Sequence, residues 1–388
     1  MRYIGIIILL VLCLTLLLFT CCMTNTDKPD SIYEPGTVYP QKWATGTGTV
    51  GDPWAGDCIN DAYTAATAGD TIYLRAGYYT LASTLTIRGK TVNLVGEGRE
   101  KTFIVTSMNH SAAMIVYDDY TTLKGFTLDA ASQVQESDRY AVKLINGDYM
   151  TVEDIEVKNA GYAGIEYADI DYAMIKNIYL HDNAWHGMHS AHLTTTQGRH
   201  NIFQNIQTWN HTHYGFDDGL PGTLDCDNIY DNIQAWHCGK DGINIWGMVG
   251  GNISNCSAWD CNGFGINICF TKGLNIHDSS FNLNNSIGMY LHKSSNVLLD
   301  NVIMKNNNVS DSAGIAAVYV EDSDGIKFSS CQFYDDRDVP LQDYGIRIQG
   351  IVSLEVINCI LSPNEIAEIY NPAGEAVAVI TEKMLAKF

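Results

Sequence analysis

The chain has 388 residues, 46% of them apolar and only 17% charged, which is enough material for one large domain with a substantial core. Lysine and arginine number 23 against 44 acidic residues, and the net charge of −21 speaks against a nucleic-acid partner, whose phosphates need a basic surface. A polyanionic substrate would need a bound cation or a local basic patch, unless the acidity serves solubility alone.

Residues 1–22 start with Arg2 and continue through an apolar run from Ile4 to Phe19, the pattern of an export signal. Cys21 or Cys22 would be the lipidated residue of a surface lipoprotein, and an uncleaved anchor is the alternative. Residues 23–45 are polar, contain proline and threonine, and are expected to act as a tether. Eight of the 11 cysteines follow the signal without a Cys-x-x-Cys pair, so a zinc ribbon is not expected. They are assigned to the interior as small apolar residues. Residues 58–98 suggest the entry to a coiled chain, with a short helix over 59–66 covering its open end.

Further on the sequence repeats itself. Asn or Asp recurs at 154, 177, 205, 232, 255, 278, 301 and 358, and Gly164, Gly187, Gly215, Gly242, Gly265 and Gly288 each follow ten residues after one of them. Two or three short strands per repeat, with no helix between, suggest a parallel β-helix whose coils bury their apolar faces by stacking. Trp209, Trp236, Trp259 and Phe281 are expected to form an aromatic ladder in the interior, and the Asn column to satisfy backbone groups at a turn. Residues 363–370 would close the far end, with 381–388 as a tail.

Alternation along the strand separates two columns. Ile165, Met188, Phe216, Ile243, Ile266, Met289 and Ile346 follow the glycines and point inward. Glu166, His189, Asp217, Asn244, Asn267, Tyr290 and Arg347 come next and point outward, with Lys143 in the same column. The third position should be apolar again but is Ser190 in one coil and Asp218 in another. The same two coils are longer: the glycine-to-Asn interval is 18 and 17 residues there against 13 elsewhere. The extra residues are expected to rise as loops beside the polar column and make a cleft wall. Eight of 11 histidines fall between His181 and His237, among them His186, His189, His192 and His213. Carboxylates this close repel unless a cation, a protonated histidine or Lys240 offsets them; a hydrated acidic patch is the plainer alternative.

The cap, the entry stretch GDTIYLRAGYYT and the repeats resemble the pectin-lyase-like superfamily over roughly residues 45–380. That resemblance implies an all-β fold, a single-stranded right-handed parallel β-helix (solenoid) with a short N-terminal capping helix, over residues 46–380. HYGFDDG at 213–219 is similar to the YGFDPH stretch of mannuronan C5-epimerases, with Tyr214 and Asp217 matching and Gly219 where that motif has its histidine. KDGINIW at 240–246 is similar to the DDGFDL region of the calcium-dependent pectate lyases of polysaccharide lyase family 9. There Asp241 and Asn244 fall on calcium-ligand positions, Lys240 replaces an acid, and the catalytic lysine would fall near Asn267.

The expected activity is a polysaccharide lyase on an acidic glycan such as pectate or alginate, secreted or held at the surface through its N-terminus, and monomeric. Glycoside hydrolysis or glycan binding without catalysis are the alternatives. Asp217, Asp218, Asp241 and Asn244 are assigned to Ca²⁺. His189 is the first choice of base, then Lys240 and His213, with Tyr214 as proton donor. Glu166, His186, His192, Asn267, Tyr290 and Arg347 are assigned to substrate.

Overall fold

The computed structural model describes residues 37–38 and 58–372, apart from 108, 110, 132, 137, 192–197, 220–225, 311 and 351–352. The chain divides into residues 1–37 and 38–388, and the description below is of the second unit. The export segment and most of the tether lie outside the described residues, as does the tail. Among the described residues no helix is long and apolar enough to cross a membrane.

The repeats fold into a right-handed parallel β-helix. Among the described residues from 58 onward, strands pair in parallel with the equivalent strands of neighbouring coils, and one of the two sheets has 12 strands. Nine of these carry the outward column: β1 Tyr140–Ile145, β2 Ala163–Ala168, β3 His186–Ser190, β4 Phe216–Gly219, β5 Ile243–Trp246, β6 Ile266–Cys269, β7 Met289–His292, β8 Ala316–Glu321 and β9 Tyr344–Gln349. The inward column, Ile165, Met188, Phe216, Ile243, Ile266, Met289 and Ile346, is at most 1% exposed and forms part of one continuous core.

Helix α1, Cys58–Ala65, covers the first coil with Cys58, Ile59 and Ala62. Lys90 ends it by donating to the Ala66 carbonyl at 2.8 Å, satisfying a group the helix leaves open. The far end closes differently from the expectation. Ala367–Tyr370 is a further strand on β9, and Tyr370 stacks on Tyr344 at 4.6 Å.

The column of Asn and Asp has left-handed backbone, with φ between 51° and 55° from Asp154 to Asn358, which these residue types tolerate best after glycine. Their side chains join each other on the outside: Asn205 Nδ2 donates to Asn177 Oδ1 at 3.0 Å and Asn232 Nδ2 to Asn205 Oδ1 at 2.9 Å. The backbone role expected of them belongs to a second, buried set. Asn183, Asn284 and Asn307 accept the amide N–H groups of Ala160, Cys261 and Asn284. The glycines have another cause: a Cβ on Gly187 would stand 2.5 Å from the Gly215 carbonyl oxygen, so stacking leaves no room for one.

The aromatic ladder lies outside the coil, contrary to the expectation. Trp209, Trp236 and Trp259 are half-buried on the outer surface and stack on each other at 4.9 and 5.0 Å, while Phe281 lies inside beside Ala258. The tryptophans stand four residues after their Asn and Phe281 three after Asp278, so alternation puts them on opposite faces. The eight described cysteines are all buried and unbridged.

Candidate active site

Strand pairing lines up Lys143, Glu166, His189, Asp217, Asn244, Asn267, Tyr290, Tyr319 and Arg347 as one column. Tyr319 comes two residues after Ala317, which stands against Gly288 where other coils have a glycine. Loop residues 192–197 and 220–225 lie outside the described residues, and with them His192 and most of the expected cleft wall.

His189 is the centre of the cluster. Its Nδ1 lies 3.4 Å from Glu166 Oε2 and its Nε2 lies 3.7 Å from Asp217 Oδ2, so a carboxylate from each neighbouring coil faces the ring. Glu166, expected at the substrate, is 1% exposed and stands behind the histidine, held by Lys143 Nζ at 2.5 Å. Burial works to raise its carboxyl, but bonds from His189, Lys143 and Tyr140 outweigh this and hold it below the usual range. Asp217 is pushed up to about 6 by burial, with His189 opposing, and its Oδ1 accepts Asn244 Nδ2–H at 2.6 Å.

His186 is 3% exposed, and burial lowers its pKa far enough to keep the ring neutral. It lies between the His189 ring at 4.8 Å and the Tyr214 ring at 5.3 Å. His213 packs on Tyr214 at 4.2 Å, and burial, then Lys240, lowers it to about 4. Lys240 Nζ donates to the Tyr214 hydroxyl at 2.6 Å. Asp241, the next residue, is pushed up to about 6 by burial; its Oδ1 accepts the Phe264 N–H at 2.8 Å and its Oδ2 faces Asn267 Nδ2 at 3.4 Å.

One residue leaves the position expected from sequence. Asp218 faces the interior, 2% exposed, and accepts the Tyr230 hydroxyl, so it is on the wrong side of the strand to join Asp217. Tyr290 and Arg347 stay in the column but away from the cluster. Tyr290 bonds Glu321, and Arg347 bonds the Gly314 carbonyl at 2.7 Å while covering the Tyr319 ring.

The same geometry takes Asp218 out of the set assigned to calcium. Ca²⁺ takes about six to eight oxygen ligands. With Asp218 inside, the outer face offers two carboxylates on different coils, each already accepting amide N–H groups of the next coil. These residues do not fit a calcium shell. Among the described residues one group of three converges as a metal site would: His186, His189 and Asp217.

A corner column went unnoticed in the sequence. The two residues before each glycine, Tyr162–Ala163, Trp185–His186, His213–Tyr214 and Lys240–Asp241, stack beside the outward one, with Tyr162 edge-on to His189 at 5.6 Å and Trp185 against His213 at 5.0 Å. The glycine alignment that exposed the outward column contained this one too.

The model for a family described as "Pel9A-like, right handed beta helix region" matches residues 37–273. Pectate lyase L of Paenibacillus polymyxa (strain SC2) is 27% identical over 206 residues, 48% of this chain and 40% of that protein, so the chain spans less than half of that relative. The A-module of Azotobacter vinelandii mannuronan C-5 epimerase AlgE4 superposes with a TM-score of 0.68 at 16% identity, covering 88% of this chain and 99% of that one. The N-terminal fragment of bacteriophage Phi29 gene product 12 gives 0.68 at 13% identity, covering 88% and 65%. The Agl-KA catalytic domain gives 0.67 at 14%, covering 89% and 69%. At these identities the structural likeness is one of fold.

Proposed function

Since the chain belongs to the family of Pel9A-like right-handed β-helices, we propose that it is an exported polysaccharide lyase that cleaves an acidic, uronate-containing glycan such as pectate or alginate by β-elimination. The observation that carries this reading is His189, set on the outer column between two carboxylates, with the His186 ring between it and the Tyr214–Lys240 pair. Elimination needs a base for the proton at C5 and an acid for the oxygen leaving C4. His189 Nε2 takes the C5 proton, and Glu166 behind it stabilises the imidazolium that forms. The electron pair left at C5 forms the C4–C5 double bond as the C4–O bond breaks. Tyr214 donates its proton to the departing oxygen, and the Lys240 ammonium stabilises the phenolate. Lys240, Asn244 and Asn267 present N–H groups toward the uronate carboxylate.

The apolar segment from Ile4 to Phe19 supports export, and the acidic surface supports a monomer free of nucleic acid. A second reading, hydrolysis of a glycan, rests on Asp217 and Asp241: carboxyls raised to about 6 exchange protons near neutrality, as an acid and base pair must. Ultraviolet absorbance of unsaturated product separates the two. On pectate, alginate and other uronate polymers, absorbance is expected to grow with calcium or with chelator alike. New reducing ends without absorbance would mean hydrolysis. A signal abolished by chelator would put an obligatory cation back into the chemistry.

A further inference from the structure

The calcium set disperses, but a nitrogen-rich set converges. His186, His189 and Asp217 each present one ligand atom, all within 4.8 Å of one another. Ligand atoms held about 2.0–2.2 Å from one ion lie at most about 4 Å apart, so closing this set needs side-chain movements of about 1 Å together with a turn of one imidazole out of the near-parallel stack that His186 and His189 form. Two imidazoles with one carboxylate suit zinc, cobalt, nickel or copper and do not suit calcium.

Three further features fit such an ion. His186 Nδ1 is buried without a hydrogen-bond partner among the described residues, in a side chain 3% exposed. An orphaned acceptor or donor in that position is costly unless something binds it. Glu166 faces His189 Nδ1 from behind, which leaves Nε2 on the Asp217 side. A carboxylate behind a ligating histidine is the usual means of fixing its orientation. Asn244 holds Asp217 Oδ1 in the same way and leaves Oδ2 toward His189. The His189 and Asp217 side chains remain 20% and 13% exposed, so an ion has a route in from solvent.

We infer that His186, His189 and Asp217 form a binding site for a divalent transition-metal ion of the zinc type. The ion takes the His189 Nε2 lone pair, so its occupancy removes the base assigned to elimination. Binding itself stands on the geometry alone, and only this consequence rests on the lyase reading.

Cobalt titration of the metal-stripped full chain tests it. Visible absorption is expected to rise to one ion per chain, to be reversed by zinc, and to be unchanged by calcium. His186→Gln and Asp217→Asn are expected to abolish the absorption while circular dichroism keeps the β-helix signal. Glu166→Gln should weaken cobalt binding about 10- to 100-fold. Absent cobalt absorption in the folded wild type, or equal binding by the two ligand variants, would overturn the site. Saturating zinc should remove most elimination activity, and activity that persists or rises would overturn the competition. Cobalt uptake without elimination on any polymer would retire the lyase reading and keep the metal site; elimination without cobalt uptake would do the reverse.

Discussion

Strands β5, β6 and β7 and strands β3 and β4 belong to one sheet and keep one register, yet their interiors differ. The first three place Ile245, Ile268 and Leu291 at the second inward position, all fully buried. The other two place Ser190 and Asp218 there, 8% and 2% exposed. Ser190 Oγ receives the Gly219 N–H at 2.5 Å, and Asp218 receives the Tyr230 hydroxyl. Buried polar groups are tolerated only with such partners, and apolar ones of like volume would be at least as stable. The coils that carry His189 and Asp217 are thus the ones in which core regularity gives way.

The largest expected effect separates these regions by activity. His189→Gln should lower the elimination rate about 10²- to 10⁴-fold, the usual worth of a general base. Tyr290→Ala, four coils further along the same column, should change it only a few-fold. Equal losses in initial-rate assays would remove the distinction between the coils.

A smaller effect concerns charge. The Asp241 carboxyl is raised from 3.8 to about 6 by burial, so the folded chain holds that proton more tightly than the unfolded chain. Stability therefore falls as pH rises from about 4 to about 6 and stays lower above that window. Asp241→Asn, neutral throughout, should gain up to about 3 kcal/mol at pH 7 and nothing at pH 4. Denaturant titrations at both values would show it, and an equal shift at both would assign the effect to packing.

The smallest lies at the regular corner. Asn301 sits at φ 54° and donates to Asp278 Oδ1 at 2.7 Å. Asn301→Ala should cost about 1 to 2 kcal/mol, chiefly for the left-handed backbone, and Asn301→Gly less. Thermal unfolding that ranks glycine below alanine would mean that the side-chain ladder outweighs the backbone.

Repeats made the coil and the outward column legible, because stacking forces each position to recur with its role. Residues defined by contacts between coils were not. Whether Trp209 lies in or out turns on one residue of spacing, and a one-residue shift reverses the face. Glu166 alternates like a surface residue, but Lys143 and His189 close over it from the coils on either side. Asp218 sits where a core residue belongs, and its carboxylate drew it to the outer cluster in the sequence reading. Its partner Tyr230 is 12 residues away on the other sheet, beyond any local pattern.

One coil, from Gly265 to Gly288, takes 23 residues and advances the stack by one strand spacing of about 4.8 Å. Neighbouring coils meet only each other, so the outer face works as a ruler whose length is counted in whole coils. Removing residues 265–287 would bring Tyr290 one rung nearer to Asn244 and leave His189, Glu166 and Asp217 where they are. In this architecture reach along the face and chemistry at the cluster are separately heritable: the first changes by duplication or loss of a coil, the second by substitution within the coils that carry Glu166, His189 and Asp217.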